Sequence, residues 1–156
     1  MNKKWFECKV KYMTVEDTGV RRLVTKPFIV DALSFTEAES RINSELKSHI
    51  SEEFRVVNIR VTNYSEIFYF EGGENWFKSK VSLIAYDEES GKERKVNIYL
   101  LVQANNAKQA YENTTLAMKG TIGDYSIPSI SETNVEEVLA YTETTYENIE
   151  LSISEK

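Results

Sequence analysis

An internal duplication constrains this chain more than any other feature of its sequence. The pattern Trp-Phe-x-x-Lys-Val occupies residues 5–10 and recurs 71 positions later at residues 76–81. A Thr-Asn-x-x-Glu pattern recurs with the same offset at residues 62–66 and 133–137. Between these blocks, Gly19, Arg22, Val24, Val30, Ala32 and Ala38 match Gly91, Arg94, Val96, Val102, Ala104 and Ala110, each 72 positions later. Such self-similarity indicates one supersecondary unit used twice.

Each copy has the pattern of two strands, a helix and a long final strand. Apolar and polar residues alternate from Phe6 to Tyr12 with the period of a half-buried strand. Glycines Gly19 and Gly91 suit hairpin turns. A capping box at Ser34-x-x-Glu37, and its counterpart Asn106-x-x-Gln109, predict where the two helices begin. The apolar stripe predicted for the first helix is Phe35, Ala38, Ile42 and Leu46, and that for the second is Ala107, Ala110, Thr114 and Met118.

We therefore expect an α+β fold made by tandem duplication of a β-β-α-β unit. The copies should form two antiparallel sheets or one continuous curved sheet, with both helices packed on one side and an approximate twofold axis between copies. The final elements, residues 54–70 and 125–141, are long enough to split into two strands each. Pro27 lacks an amide hydrogen, which predicts that its strand is at an edge or broken there.

The length of 156 residues suits one domain, which we divide into repeats at about 4–71 and 75–142 and an acidic C-terminal segment, 142–156. Net charge is −6, and residues 132–156, with seven acids and one base, account for all of it. Weak alternation from residue 142 onward predicts one last strand. The lone Cys8 and the absence of a long apolar run predict a cytoplasmic protein that does not enter a membrane.

The sequence offers little material for catalysis. It has one histidine, His49, and one cysteine, and no glycine-rich phosphate-binding motif. We expect Cys8 to be a small buried hydrophobe and His49 to be a surface residue at the end of a helix. The prediction is a protein that is not an enzyme and has no metal or cofactor. A small hydrolase remains as an alternative, and a deep pocket lined by paired carboxylates would indicate one.

Aromatic and basic residues recur together on both opening strands. Alternation sends Trp5, Lys9 and Lys11 to the face opposite Phe6 and Val10. Rings on such a face stack on unpaired bases for roughly 1–3 kcal/mol per base, and lysines neutralise phosphates. The candidate nucleic-acid-binding residues are Trp5, Lys9, Lys11, Arg22, Trp76, Lys78, Lys80 and Arg94. The face that the two arginines occupy is left open.

These residues predict a non-enzymatic protein that binds single-stranded nucleic acid, with single-stranded DNA as the expected partner and little sequence preference. The acidic C-terminal segment would compete with nucleic acid for the basic face. A competing hypothesis is a protein–protein interaction or assembly module, including self-association, whose tryptophans meet another chain. A third interpretation gives Trp5 and Trp76 a purely structural role, sealing equivalent sheet edges against the core.

Two stretches, residues 5–12 (Trp-Phe-Glu-Cys-Lys-Val-Lys-Tyr) and 30–39 (Val-Asp-Ala-Leu-Ser-Phe-Thr-Glu-Ala-Glu), resemble an uncharacterised family. Its members are small proteins from Bacteroidetes bacteria and their phages, catalogued only as a domain of unknown function. The resemblance covers most of the chain and carries no assigned activity. It implies a bacterial or phage source and an intracellular setting, and occurrence in phages favours a role in DNA handling.

Overall fold

The computed structural model describes residues 3–140, and the two copies follow one another with the same order of elements. The first copy contains β1 (Lys4–Val15), β2 (Arg21–Ala32), α1 (Phe35–His49), β3 (Phe54–Val61) and β4 (Tyr64–Phe68). The second contains β5 (Asn75–Tyr86), β6 (Glu93–Ala104), α2 (Ala107–Ala117), β7 (Tyr125–Glu132) and β8 (Glu137–Leu139). The α+β class is confirmed, and each long final element splits in two. The acidic segment and the strand expected from residue 142 lie outside the described residues.

Each of the two compact units contains strands from both copies. One unit, here unit 1, comprises residues 3–62 and 134–140 of the described chain, and unit 2 comprises residues 63–133. The strand order is β3-β1-β2-β8 in the sheet of unit 1 and β4-β6-β5-β7 in the sheet of unit 2. The copies thus exchange their last short strands, and neither copy completes a sheet from its own sequence.

The exchanged strands make both sheets mixed, which corrects the expectation of wholly antiparallel sheets. Strand β8 runs parallel to β2 over Phe28–Val30. Strand β4 likewise runs parallel to β6, while the remaining pairs are antiparallel. A tight hairpin imposes antiparallel pairing, whereas a strand that arrives through a long connection is free to run parallel.

The expectation for Pro27 is confirmed in part: β2 is not broken there, but within the described chain its side away from β1 is an edge up to Pro27. The strand is continuous, and β8 pairs with it immediately after the proline, beginning at Phe28. Proline lacks only the donor, so its carbonyl still accepts a hydrogen bond. Here the Pro27 carbonyl accepts one of 2.8 Å from the N–H of Glu136, just before β8 begins.

In unit 1, α1 packs on one face of the sheet. Its buried residues Ala38, Ile42 and Leu46 lie against Phe6 and other apolar side chains of β1 and β2. The Ser34 hydroxyl accepts a hydrogen bond of 3.1 Å from the N–H of Glu37, which confirms the predicted helix start. Phe35 departs from the expected stripe, because its side chain is largely exposed and touches Phe6 only edge to face.

In unit 2, α2 packs on the sheet in the corresponding way. The Asn106 side chain accepts a hydrogen bond of 2.8 Å from the N–H of Gln109, so this predicted start is also confirmed. Ala110 is buried against Phe77 and Ala104. Thr114, about one turn further along α2, is also buried.

Equivalent positions link each helix to its sheet. In unit 1, Arg41 Nη1 donates to the Asp31 carbonyl at 2.7 Å and also pairs with the Asp31 carboxylate. In unit 2, the counterparts are Asn113 and Gln103, and Asn113 Nδ2 donates to the Gln103 carbonyl at 2.9 Å. The link from side chain to backbone is kept in both copies, and only the first copy adds buried charge.

Candidate nucleic-acid interface

We use distal face for the surface of a sheet opposite its helix. Residues directly paired across a ladder project on the same side, so the register decides which side chains share this face. In unit 1, Phe6 and Val10 lie against α1, and alternation along β1 places Trp5, Lys9 and Lys11 on the distal face. In unit 2, Trp76, Lys78 and Lys80 occupy the distal face by the same alternation along β5.

Three cationic side chains adjoin on the distal face of unit 1. In the β1–β3 ladder Lys11 lies opposite Arg55, and Lys9 lies opposite Asn58. Lys9 and Arg55 are exposed and Lys11 is half-buried. None of the three cations forms an ion pair with any residue in 3–140. Glu52 and Glu53 line the same surface cleft as Lys11 and Arg55, so acids lie near this cluster without forming an ion pair with it. Arg55 was missed from sequence because its register with Lys11 is set by long-range pairing.

Two carboxylates share this face, and both are buried and paired. Glu7 is 7% exposed and accepts bonds of 3.0 and 3.1 Å from the guanidinium of Arg60. Asp31 is paired with Arg41 and, at 3.2 Å, with Lys3. Since each acid has its own cation, neither neutralises the Lys9–Lys11 end of the face.

The two tryptophans differ in exposure. Trp5 is half-buried, but Trp76 is only 4% exposed and packs edge to face on Tyr69 with 5.3 Å between ring centroids. Trp76 therefore lacks the exposure that nucleic-acid binding requires, and its burial agrees with the alternative interpretation that gives it a structural role. Its indole is held within the packing of unit 2, where burial of a large ring stabilises the fold.

The distal face of unit 2 carries lysines, tyrosines and hydroxyls from Lys78 toward the β5–β6 hairpin, and the buried apolar side chains of Trp76 and Leu101 at its other end. From Trp76 to Ile84, the ladder positions of β5 and their partners place Lys78, Lys80 and Lys95 on this face and no carboxylate. The first acid met along the described strands is Glu93, opposite Tyr86 at the hairpin end. The hydroxyl-bearing residues on the same face are Tyr64, Tyr99, Ser82, Ser126, Ser129 and Ser131.

Lys78 is positioned by aromatic rings. Its Nζ lies 4.6 Å from the centroid of the Tyr99 ring and 5.5 Å from that of Tyr64. Ring faces attract an ammonium without cancelling its charge. Beside it, Lys80 lies opposite Ser129 in the β5–β7 ladder, and Ser129 is exposed. Ammonium groups, hydroxyl donors and aromatic rings thus occur side by side.

Sequence reasoning missed both tyrosines of this cluster. Tyr64 belongs to the first copy and reaches Tyr99 of the second copy only because β4 is exchanged into the sheet of unit 2. No local pattern in the sequence marks that pairing.

The two arginines predicted as part of the site lie elsewhere. Arg22 is paired in the ladder with Thr14, on the helix side of its sheet, and forms an ion pair of 3.3 Å with Glu16. Arg94 lies opposite Ala85, also on the helix side. Neither joins a distal face, and Trp76 is buried, so the predicted set is reduced to Trp5, Lys9 and Lys11 of β1 and Lys78 and Lys80 of β5.

A family model described as a domain of unknown function (DUF4494) matches residues 4–141. The chain belongs to the DUF4494 family. No curated protein and no solved structure matches it. The region that DUF4494 spans includes both copies and every element described above.

The cysteine and the histidine of this DUF4494 chain lie where the sequence predicts, one buried and one at a helix end. Cys8 is buried, and burial, reinforced by the nearby charge of Glu7, raises the pKa of its thiol to about 12. His49 is exposed at the end of α1, with Nδ1 3.7 Å from a carboxylate oxygen of Glu137. Within residues 3–140, no group of three or more His, Cys, Asp or Glu side chains is arranged to hold a metal ion. Over the same residues, no helix has the length and apolar character needed to cross a membrane.

Proposed function

We propose that this protein binds single-stranded nucleic acid, with little preference for sequence, through the distal faces of its sheets. The observation that carries the proposal is the distal face of unit 2, where Lys78, Lys80 and Lys95 occur with tyrosines and without a carboxylate from Trp76 to Ile84. The chain has 25 acidic residues, and none of them occupies a ladder position on this stretch of the face. Local charge of one sign attracts a charged partner even when net charge has the opposite sign.

The chemistry of this face favours an unpaired strand over a duplex. Lysines and serine hydroxyls contact phosphate and sugar without reading sequence. Aromatic rings stack only on bases that have left a helix, and they accept every base because every base has a π face. The Tyr64–Lys78–Tyr99 cluster combines both kinds of contact.

Unit 1 offers a second basic surface. Lys9, Lys11 and Arg55 adjoin on its distal face, and each lacks an acidic partner within residues 3–140. The proposed binding is non-enzymatic, and an intracellular setting in Bacteroidetes bacteria or their phages belongs to the same proposal.

Fluorescence anisotropy with a labelled oligothymidylate of about 20 nucleotides tests the proposal at low salt. We expect a dissociation constant in the range of about 1–100 µM that rises steeply with added salt. The double variant Lys78→Ala/Lys80→Ala should weaken binding and flatten the logarithmic salt dependence by about 1.4, because each lost phosphate contact contributes about 0.7 for single strands.

The matched control is Lys47→Ala/Lys108→Ala, which removes the same charge from exposed positions on the two helices. It should leave affinity and salt dependence near their wild-type values. No binding at about 100 µM wild-type protein, or equal losses in both double variants, would reject the distal face as the binding surface.

A second candidate function, association with a protein partner or with another copy, is favoured by the hairpin ends. Beyond Tyr12, which lies opposite Phe54, no third strand pairs with β1 in the described chain. The large apolar residues exposed on this hairpin are Val15 (60%), Val20 (55%) and Leu23 (55%). Apolar side chains clustered on a projecting hairpin are typical of interaction surfaces. Light scattering across a range of protein concentrations should then reveal a dimer that Val15→Ser/Leu23→Ser abolishes, and a monomer at every concentration would argue against self-association.

A further inference from the structure

The cluster of two tyrosines and a lysine on unit 2 has the composition of a nucleotide subsite. Tyr64 and Tyr99 lie side by side because β4 and β6 are paired in parallel at these positions. Both rings are half-buried on the distal face, whereas the apolar core of the unit lies on the helix side. On the same face Leu101, opposite Lys78 in the β5–β6 ladder, is 0% exposed and Trp76 is 4% exposed, so the two partly exposed rings lie beside a buried stretch of that face.

Lys78 is the charged group that approaches both ring faces. Its ammonium is held by weak contacts at 4.6 and 5.5 Å and ends a flexible four-carbon stem. A base that stacks on a tyrosine face can displace this ammonium without unfolding any backbone. The exposed hydroxyl of Ser131, opposite Lys78 in the β5–β7 ladder, adds a donor next to the displaced ammonium.

We infer that Tyr99 and Tyr64 form a stacking site for unpaired bases, and that Lys78 moves from the rings to the phosphate of the stacked nucleotide. This inference rests on the proposed function and specifies how that face recognises its ligand. A cationic ligand is disfavoured at the same rings, because Lys78 and Lys80 repel it. An aromatic base attached to a phosphate satisfies both the rings and the ammonium.

Two ligands of equal charge separate stacking from electrostatic attraction. One is an oligothymidylate of about 20 nucleotides, and the other is an abasic phosphodiester of the same length, since only the first has bases that stack. Tyr99→Leu should weaken binding of the oligothymidylate by about 5-fold or more and leave binding of the abasic strand within about 2-fold. Tyr99→Phe, which keeps the ring, should bind both ligands as the wild type does.

Tyr111→Leu is the matched control, because Tyr111 is an exposed tyrosine on α2. It should not change binding of either ligand. If Tyr99→Leu weakens both ligands equally, or neither, the stacking site is refuted while the proposed function stands. If the wild-type protein binds neither ligand, the proposed function fails and the stacking site fails with it.

A measurement on the wild-type chain guards against a variant that merely misfolds. Oligothymidylate in which 5-iodouracil replaces thymine forms photocrosslinks to aromatic side chains that stack on it. Peptide mapping should place the crosslink at Tyr99 or Tyr64. Crosslinks confined to other residues would overturn the assignment even when binding is tight.

Discussion

The hydroxyl of Thr62 donates a hydrogen bond of 2.8 Å to the backbone carbonyl of Trp5, and the Thr62 N–H donates to the same carbonyl at 2.8 Å. The second copy repeats the arrangement, with bonds of 2.8 and 2.9 Å from Thr133 to the carbonyl of Trp76. Thr62 and Thr133 are also the last residues before the chain passes from one unit to the other. Each threonine thus anchors a strand end at the point where the copies begin to exchange strands.

Replacing either anchor should lower stability by a similar amount. Valine keeps the shape of threonine and the backbone bond but removes the hydroxyl. We expect Thr62→Val and Thr133→Val each to reduce the free energy of unfolding by about 1 kcal/mol, the usual contribution of one hydrogen bond. Urea denaturation measures the change. Thr25→Val, at an exposed strand position, is the control and should change stability by less than about 0.5 kcal/mol.

A buried hydroxyl pair in unit 2 predicts strongly unequal single variants. Thr114 Oγ1 donates to the Ala110 carbonyl at 2.7 Å and lies 2.7 Å from Ser79 Oγ, so Ser79 is the donor within the pair. Thr114→Val leaves the Ser79 hydroxyl buried without an acceptor and should cost about 1–3 kcal/mol. Ser79→Ala leaves Thr114 satisfied and should cost about 1 kcal/mol or less.

The double variant Ser79→Ala/Thr114→Val tests that reasoning. Removing both hydroxyls leaves no unsatisfied donor, so it should be more stable than Thr114→Val alone when unfolded in urea. Simple addition of the two single costs would show that the hydroxyls are not coupled.

The buried Arg41–Asp31 ion pair of unit 1 can be replaced by the uncharged residues found at the equivalent positions of unit 2. Arg41→Asn alone leaves the Asp31 carboxylate with less compensation at a site only 4% exposed, and we expect a cost of about 3 kcal/mol. Adding Asp31→Gln recreates the charge-free Gln103–Asn113 arrangement of the second copy. The double variant should recover at least about 1 kcal/mol of the loss in thermal or urea unfolding.

Glu45, a neighbouring acid, provides the control for that replacement. Glu45 also contacts Arg41, at 3.3 Å, but its side chain is 39% exposed. Glu45→Gln should therefore change stability by less than about 1 kcal/mol. A double variant no more stable than Arg41→Asn would mean that loss of the Asp31 charge does not relieve the defect.

Local signals in the sequence were sufficient for most of the fold. The caps at Ser34 and Asn106 are short-range hydrogen bonds, and the structure has both where the sequence predicts them. The exchange of β4 and β8 was not predictable, because nothing near Tyr64 specifies that its partner is Tyr99 of the other copy. Strand pairing between distant segments depends on packing and loop closure, and a single sequence does not encode it locally.

The site was predicted only in part for the same reason. Alternation correctly assigned Lys9 and Lys11 to one face, since side-chain direction along a strand is a local property. The exposure of a side chain, by contrast, depends on segments that are distant in the sequence. Trp76 occupies the repeat position of Trp5 but is buried beside Tyr69, which approaches from the exchanged segment of the first copy.

Burial of Cys8 makes stability depend on alkaline pH. The thiol has an ordinary pKa of 9.0 when accessible and about 12 in the folded chain, chiefly because burial disfavours the thiolate. Between these values the folded state keeps a proton that the unfolded state loses. Stability from this group is therefore complete below pH 9.0 and falls as pH rises toward about 12.

Comparison of the wild type with Cys8→Val in urea at several pH values isolates the effect. The wild type should lose stability between pH 9.5 and 10.5 faster than the variant, by up to about 1.4 kcal/mol per pH unit. Tyr12, whose pKa is also raised by burial and by Glu136, titrates in both proteins and cancels in the comparison. A thiol reagent provides a second test. In the folded protein at neutral pH the thiolate fraction of Cys8 is very small, so the reagent should modify Cys8 only as fast as the chain opens. In denaturing urea it should modify Cys8 at once. Rapid modification of the folded chain at pH 8 would show that the thiol is accessible and would remove the basis for the predicted pH dependence.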